Sequence, residues 1–207
     1  MNVALGFRAQ SGWATLVAVS GQRSSPVVVD RRQIQLSEPT IHGSKQPYHA
    51  AQMLQLDEAE KFINRCIEDA TRMAEQALRT AIDCLCQKGD SVVGCSILLG
   101  SGRPTASLVT TLASHALIHT AEGELFRKAL VNASERYKLP VTGVKERELF
   151  DRGAADLHFQ VDELKRHVAE LGRAIGPPWR QDEKLAAVGG PGRCFQGIGS
   201  ILKILAR

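Results

Sequence analysis

No apolar run in the 207 residues approaches the roughly 20 that a membrane span needs, which excludes a helical membrane protein. The N-terminus also lacks the charged-then-apolar layout of a signal peptide, so a cytoplasmic location is expected. The five cysteines, Cys66, Cys84, Cys86, Cys95 and Cys194, are odd in number and irregular in spacing, which excludes a disulfide framework. Cys84 and Cys86 lie two apart in a helical stretch, pointing to different faces, so they do not naturally share a metal. Neither charge sign dominates. The 26 Lys+Arg against 22 Asp+Glu give a net charge of +4 and a pI near 8.9, compatible with a nucleic-acid partner without indicating one. Internal repeats, low-complexity tracts, a P-loop and a Gly-x-Ser-x-Gly elbow are all missing, and with them solenoids, P-loop nucleotide hydrolysis and the hydrolase nucleophile.

What is present is 43% apolar and 23% charged residues, enough for one soluble core over residues 1–190, with an apolar extension at 191–207. Residues 2–8 and 12–19 read as two strands joined by a tight turn, and 26–36 as a third with period-two alternation. Residues 37–54, with Pro39, Gly43 and Pro47, read as a long connection. A helix runs from Asp57, its apolar positions from Phe62 to Leu85 at helical spacing, to a stop at Lys88-Gly89-Asp90. The nearly continuous apolar run Ser91–Leu99 reads as a central parallel strand covered on both faces. After Gly100–Pro104 a helical stretch begins near Thr105, breaks near Thr120–Gly123 and continues to about Tyr137. Residues 140–144 read as a strand, 160–173 as an amphipathic helix ended by Gly172, and 180–188 as a short helix. The last dozen residues read as an apolar terminal helix.

Three strands followed by helix–strand alternation is not the order of a doubly wound nucleotide-binding sheet. With Val3-Ala-Leu-Gly-Phe-Arg8, Ser11-Gly-Trp-Ala14 and Gln181-Asp-Glu-Lys-Leu-Ala-Ala187, it resembles the ribonuclease-H-like superfamily, in its Holliday-junction-resolvase branch. The resemblance implies an α/β fold with a mixed sheet, an antiparallel meander first, and helices on both faces. It further implies cleavage of nucleic acid by two divalent ions held in a carboxylate cluster, since several anionic oxygens must surround hard cations to clamp the attacking and leaving groups. This chain departs from that pattern. Arg8, or by a one-residue slip Phe7, stands where the first-strand Asp belongs, and Leu98, Leu99 and Gly100 where a Glu is common. Asp182, with Glu183 beside it, falls where a late acidic ligand is expected. The expectation is therefore the fold without the carboxylate cluster, serving as a catalytically degenerate module that binds nucleic acid or a partner.

In open α/β sheets ligands favour the carboxyl ends of the strands. Arg8–Ser11, Gly100–Arg103 and Lys145–Glu148 follow three of these ends. Ser101, Gly102 and Arg103 before a helix offer an anion cradle, and read equally as a plain Gly-rich turn. Tyr48 on the long connection, and Trp179 with Arg180 after Pro177-Pro178, mix aromatic and charged groups suited to bases and phosphates, although the tryptophan also reads as a core anchor. Arg31 and Arg32 are candidates for a backbone-binding edge, or simply charges that block edge pairing. His115 and His119, four apart on one helical face, with Glu122 beyond them, permit a metal site without the zinc-protease Glu, and read equally as caps of a helix end. No cofactor is named by the sequence, and a divalent metal is allowed without being expected. The alternative to a binding module is an enzyme acting on an anionic small molecule or phosphoester, with His49, His115 and Asp182 as catalytic candidates. A scaffold role as a homodimer, through the helix at 57–87 and the apolar C-terminus, is a third reading.

Overall fold

A computed structural model describes residues 1–22, 25–100 and 106–189. Three strands open the chain: β1 (Asn2–Gln10), β2 (Trp13–Gln22) and β3 (Ser25–Gln35). They form an antiparallel meander, and β4 (Ser91–Leu99) and β5 (Val141–Lys145) join as parallel strands. The sheet order is β3-β2-β1-β4-β5. The first hairpin closes at Ser11–Gly12, and β1 runs through Gln10 rather than ending at Arg8. Gly12 has φ +80°, and a Cβ there would meet Ser37 Oγ at 2.6 Å, so both backbone and space require glycine.

Alternation along the strands decides which helix covers which face. Val3, Leu5 and Phe7 of β1, with Ala14, Leu16 and Ala18 of β2, pack on α2 (Leu56–Gln87) and α4 (His115–Arg136). The opposite parity carries Val17 and Val19 onto Ala186 and Ala187 of α7 (Gln181–Gly189). On that second face, Leu98 and Val144 meet α5 (Leu149–Leu157), α6 (Val161–Ile175) and α7. The expected α/β fold, a mixed sheet with helices on both faces, is the one observed.

Several expected boundaries are corrected. The connection at 37–54 contains a short helix, α1 (Pro47–Ala51), with proline at its first position where the missing N–H costs nothing. The expected break at Thr120–Gly123 falls instead at Ala113–Ser114, between α3 (Leu108–Leu112) and α4. Gly123 stays helical, with the Arg127 guanidinium lying about where a Cβ would need room. Gly172 likewise lies inside α6, which ends at Ile175 with Gly176 as its cap; Trp179 packs so tightly against Gly172 that a Cβ would collide with the indole. Helix α5 had no counterpart in the sequence reading. The 101–105 turn and the 191–207 extension lie outside the described residues.

At 32 residues, α2 is about 48 Å long, well beyond the span of a nine-residue strand. It returns the chain to the start of β4, so its N-terminal turns overhang the carboxyl ends of β1 and β4. There α1 and α3 close a satellite core of Ala51, Ala59 and Ile63 against Tyr48, Phe62, Leu108 and Leu112.

Candidate functional sites at the strand ends

Two polar clusters occupy this carboxyl edge, one on each helical layer. The first is built on β1. Because Phe7 points into the α2/α4 core, Arg8 and Gln10 project to the α7 side. The Arg8 guanidinium forms an ion pair with Asp182 on the first turn of α7, and a second with Glu146 Oε2 at 3.3 Å, just past β5. Gln10 Nε2 donates to Asp182 Oδ1 at 3.2 Å. A single cation thus sits between carboxylates delivered by separate elements, all converging on the end of β1. The Arg8 side chain is 21% exposed and Asp182 24%, so the pair is screened less than a surface ion pair but is not dry.

Glu183 does not join this group. Its carboxylate accepts the Arg180 backbone N–H at 2.8 Å, the reciprocal half of a capping box that starts α7. Small residues let α7 lie close to the sheet, with Gly189 so near Ser96 that a Cβ would meet its hydroxyl at 2.6 Å. That approach fixes Asp182 over β1.

Other candidates are placed as follows. Ser11 is exposed at the hairpin tip, and Arg180 is exposed before α7. Trp179 is half-buried, its indole N–H donating to the Val168 carbonyl at 2.8 Å. Arg31 donates to the carbonyls of Gly176, Pro177 and Pro178, clamping the end of α6 to β3, and Arg32 pairs with Asp30 at 2.5 Å. Ser101, Gly102 and Arg103 lie outside the described residues. Arg127, which the sequence reading did not single out, lies against Gly100 at the end of β4 and pairs with Glu124 at 3.2 Å. Only its i, i+3 spacing from Glu124 was a signal.

Comparison with protein-family models and with curated proteins finds no match. Comparison with solved structures does. The chain superposes on the Thermus thermophilus RuvC structure with a TM-score of 0.53 at 10% identity, covering 95% of this chain and 96% of that one. It superposes on T. thermophilus RuvC in complex with a Holliday junction substrate with a TM-score of 0.55 at 9% identity, covering 96% of each. The fold is ribonuclease-H-like. At such identity the correspondence is one of architecture, and the side chains at the strand ends must be argued on their own chemistry.

The second cluster of this ribonuclease-H-like fold lies on the α2/α4 layer, where the overhanging helices meet. His49 of α1 comes against His115 and His119 of α4, with ring centroids 5.4 Å and 4.8 Å away, and the latter two are 4.4 Å from each other. Glu122, 2% exposed, accepts the His49 backbone N–H at 3.1 Å and faces His49 Nδ1 at 3.1 Å. The half-buried Tyr48 phenol is pushed up from its ordinary value, first by burial and then by the Glu122 charge. Among the described residues, no hydrogen bond or ion pair joins these histidines to Asp182, and the sheet stands between the two layers. Arg127 marks the level of the β4 end. The eight residues from there back to His119 place the imidazole roughly 12 Å further out along α4.

Proposed function

We propose that this chain is a nucleic-acid-binding ribonuclease-H-like module whose strand-end position is filled by Arg8 in place of a divalent cation. The observation that carries the nucleic-acid reading is the correspondence of fold over 96% of both chains with RuvC held in complex with a Holliday junction substrate. What supports the non-cleaving part is the donor set. A two-ion site needs several free anionic oxygens around hard cations. Here Asp182 and Glu146 are both engaged by the Arg8 guanidinium, which fills the space between them, and β4 contributes Leu98 and Leu99 rather than an acid. These residues do not fit a pair of divalent ions.

A guanidinium held by two carboxylates can still meet phosphate, because the planar fork has five N–H donors and two partners do not exhaust them. Backbone contact of this kind positions a nucleic acid without reading its sequence. The test is binding of labelled single-stranded, duplex and four-way-junction DNA and RNA at two salt concentrations, with and without Mg²⁺ or Mn²⁺. Salt-weakened binding with intact substrates is the expected result. Cleavage with either ion would overturn the non-cleaving part, and absence of binding at low salt to every substrate would overturn the reading.

A further inference from the structure

The histidine cluster takes no part in the Arg8 site, and its chemistry is different. His49, His115 and His119 each offer one imidazole nitrogen, all within 4.8 Å of one another. From this we infer that they form a three-histidine site for a borderline divalent transition metal of the zinc, cobalt or nickel class, with Glu122 positioning His49.

Three features argue for a metal rather than a stack of rings. First, the ligands come from two elements that share no local geometry: His115 and His119 are one helical turn apart on α4, and His49 arrives on α1. Nothing in the α4 pattern requires a third imidazole there. Second, the buried Glu122 accepts the His49 amide N–H and lies 3.1 Å from its Nδ1, so an ionised carboxylate there favours the tautomer protonated on Nδ1. A proton held on Nδ1 leaves the Nε2 lone pair outward, which is the carboxylate–histidine arrangement that orients ligands in zinc sites. Third, the buried Glu122 carboxylate behind His49 supplies a negative charge at a place where the amino end of α4 alone would oppose a cation. Tetrahedral coordination at about 2.0–2.1 Å needs donor atoms roughly 3.3 Å apart. Closing from at most 4.8 Å is a small rotation for His115 and His119, both exposed on their helix. Imidazole donors disfavour magnesium and calcium, which take oxygen. Three protein ligands leave a coordination position for water or an incoming donor.

Such an ion would tie α1 to α4 and fasten the overhang outside the sheet. The experiment uses the full chain, produced without a polyhistidine tag and stripped with chelator. Calorimetric titration with Zn²⁺ is expected to give one ion per chain. Co²⁺ is expected to give the intense visible bands of four-coordinate geometry, and zinc to raise the melting temperature by roughly 5 °C at hundredfold excess over Kd. The double variant with His115→Ala and His119→Ala removes exposed side chains from a helix, and is expected to keep its circular dichroism and lose the binding. Glu122→Gln is expected to weaken it 10- to 100-fold. Absence of stoichiometric binding, or binding that survives in the double variant, would overturn the site. Neither outcome touches the nucleic-acid reading, whose cations lie elsewhere on the edge.

Discussion

Removing the Arg8 guanidinium would leave Glu146 and Asp182 facing one strand end with Gln10 as the remaining donor to Asp182. Since these side chains keep between a fifth and a half of their exposure, Arg8→Ala is expected to cost about 1–2 kcal/mol, below the cost of breaking a fully buried pair. Adding Asp182→Asn should restore part of that loss, because a neutral amide no longer repels Glu146; strictly additive losses in urea unfolding would show that the carboxylates do not share the cation. A second residue-scale effect lies at alkaline pH. Burial pushes the Cys66 thiol up to about 11, with Asp69 adding and Arg65 opposing, and burial followed by Glu122 also raises Tyr48. A folded-state value raised above the unfolded one stabilises the fold fully below the unfolded value and loses that contribution as pH climbs through the folded one. Stability should therefore fall between about pH 9 and 11, and fall less in Cys66→Ala. An unchanged alkaline slope in that variant would remove Cys66 from the account.

At the scale of elements, the helix α2 shows what a sequence can disclose. Its buried residues, Ala59, Ile63, Cys66, Ala70, Ala74, Leu78, Ala81 and Leu85, recur at three and four, so the helix and, from Ile63 on, its inward face were legible without coordinates, whereas Ala59 was not. Ala70, Ala74 and Ala81 keep that face shallow where α2 shares the core with α4 and the sheet. Ala74→Leu should cost about 1–3 kcal/mol by overpacking, whereas Gln76→Leu on the exposed side should change the urea midpoint little; equal effects would mean the stripe is looser than it is drawn here. The glycines were the unreadable part. Gly123 and Gly172 read as breaks because glycine weakens isolated helices, yet each is retained inside a helix by a large side chain, Arg127 or Trp179, that needs the space. Both partners lie within seven residues along the chain, but which side chain folds back over the glycine is set by packing that a residue pattern does not carry. Helix α1 is similar, five residues whose stability comes from Tyr48 and Ala51 packing on the α2 overhang.

Across the whole molecule, the antiparallel meander and the parallel strand that follows α2 were legible, because three strands in succession, then helix–strand alternation, leave few ways to build one sheet. The strand-end residues Arg8 and Asp182 could be placed through the resemblance. The approach of His49 to His115 and His119 could not, since it depends on how far α2 overhangs. A net charge of +4 is too small to coat a polyanion, so binding must come from the few cations that are not locked into the fold. Arg31 is held on backbone carbonyls and Arg8 has only its unused N–H donors to offer, so Lys145 and Arg147 after β5 and Arg180 before α7 are the cations expected to contribute most. Lys145 and Arg147 meet Glu148 only at 3.8 Å and 3.5 Å in exposed pairs that a phosphate can displace. Each phosphate neutralised on duplex DNA contributes about −0.9 to the slope of log K against log salt. Contacts by these cations, with Arg8 behind them, give an expected slope of roughly −2 to −4. Replacing Lys145, Arg147 and Arg180 together by Ala should flatten that slope by about 2 or more while leaving circular dichroism unchanged, because none supports the core. A slope as steep in the triple variant as in the parent chain would move the interface off this edge, away from the ends of β5 and α7.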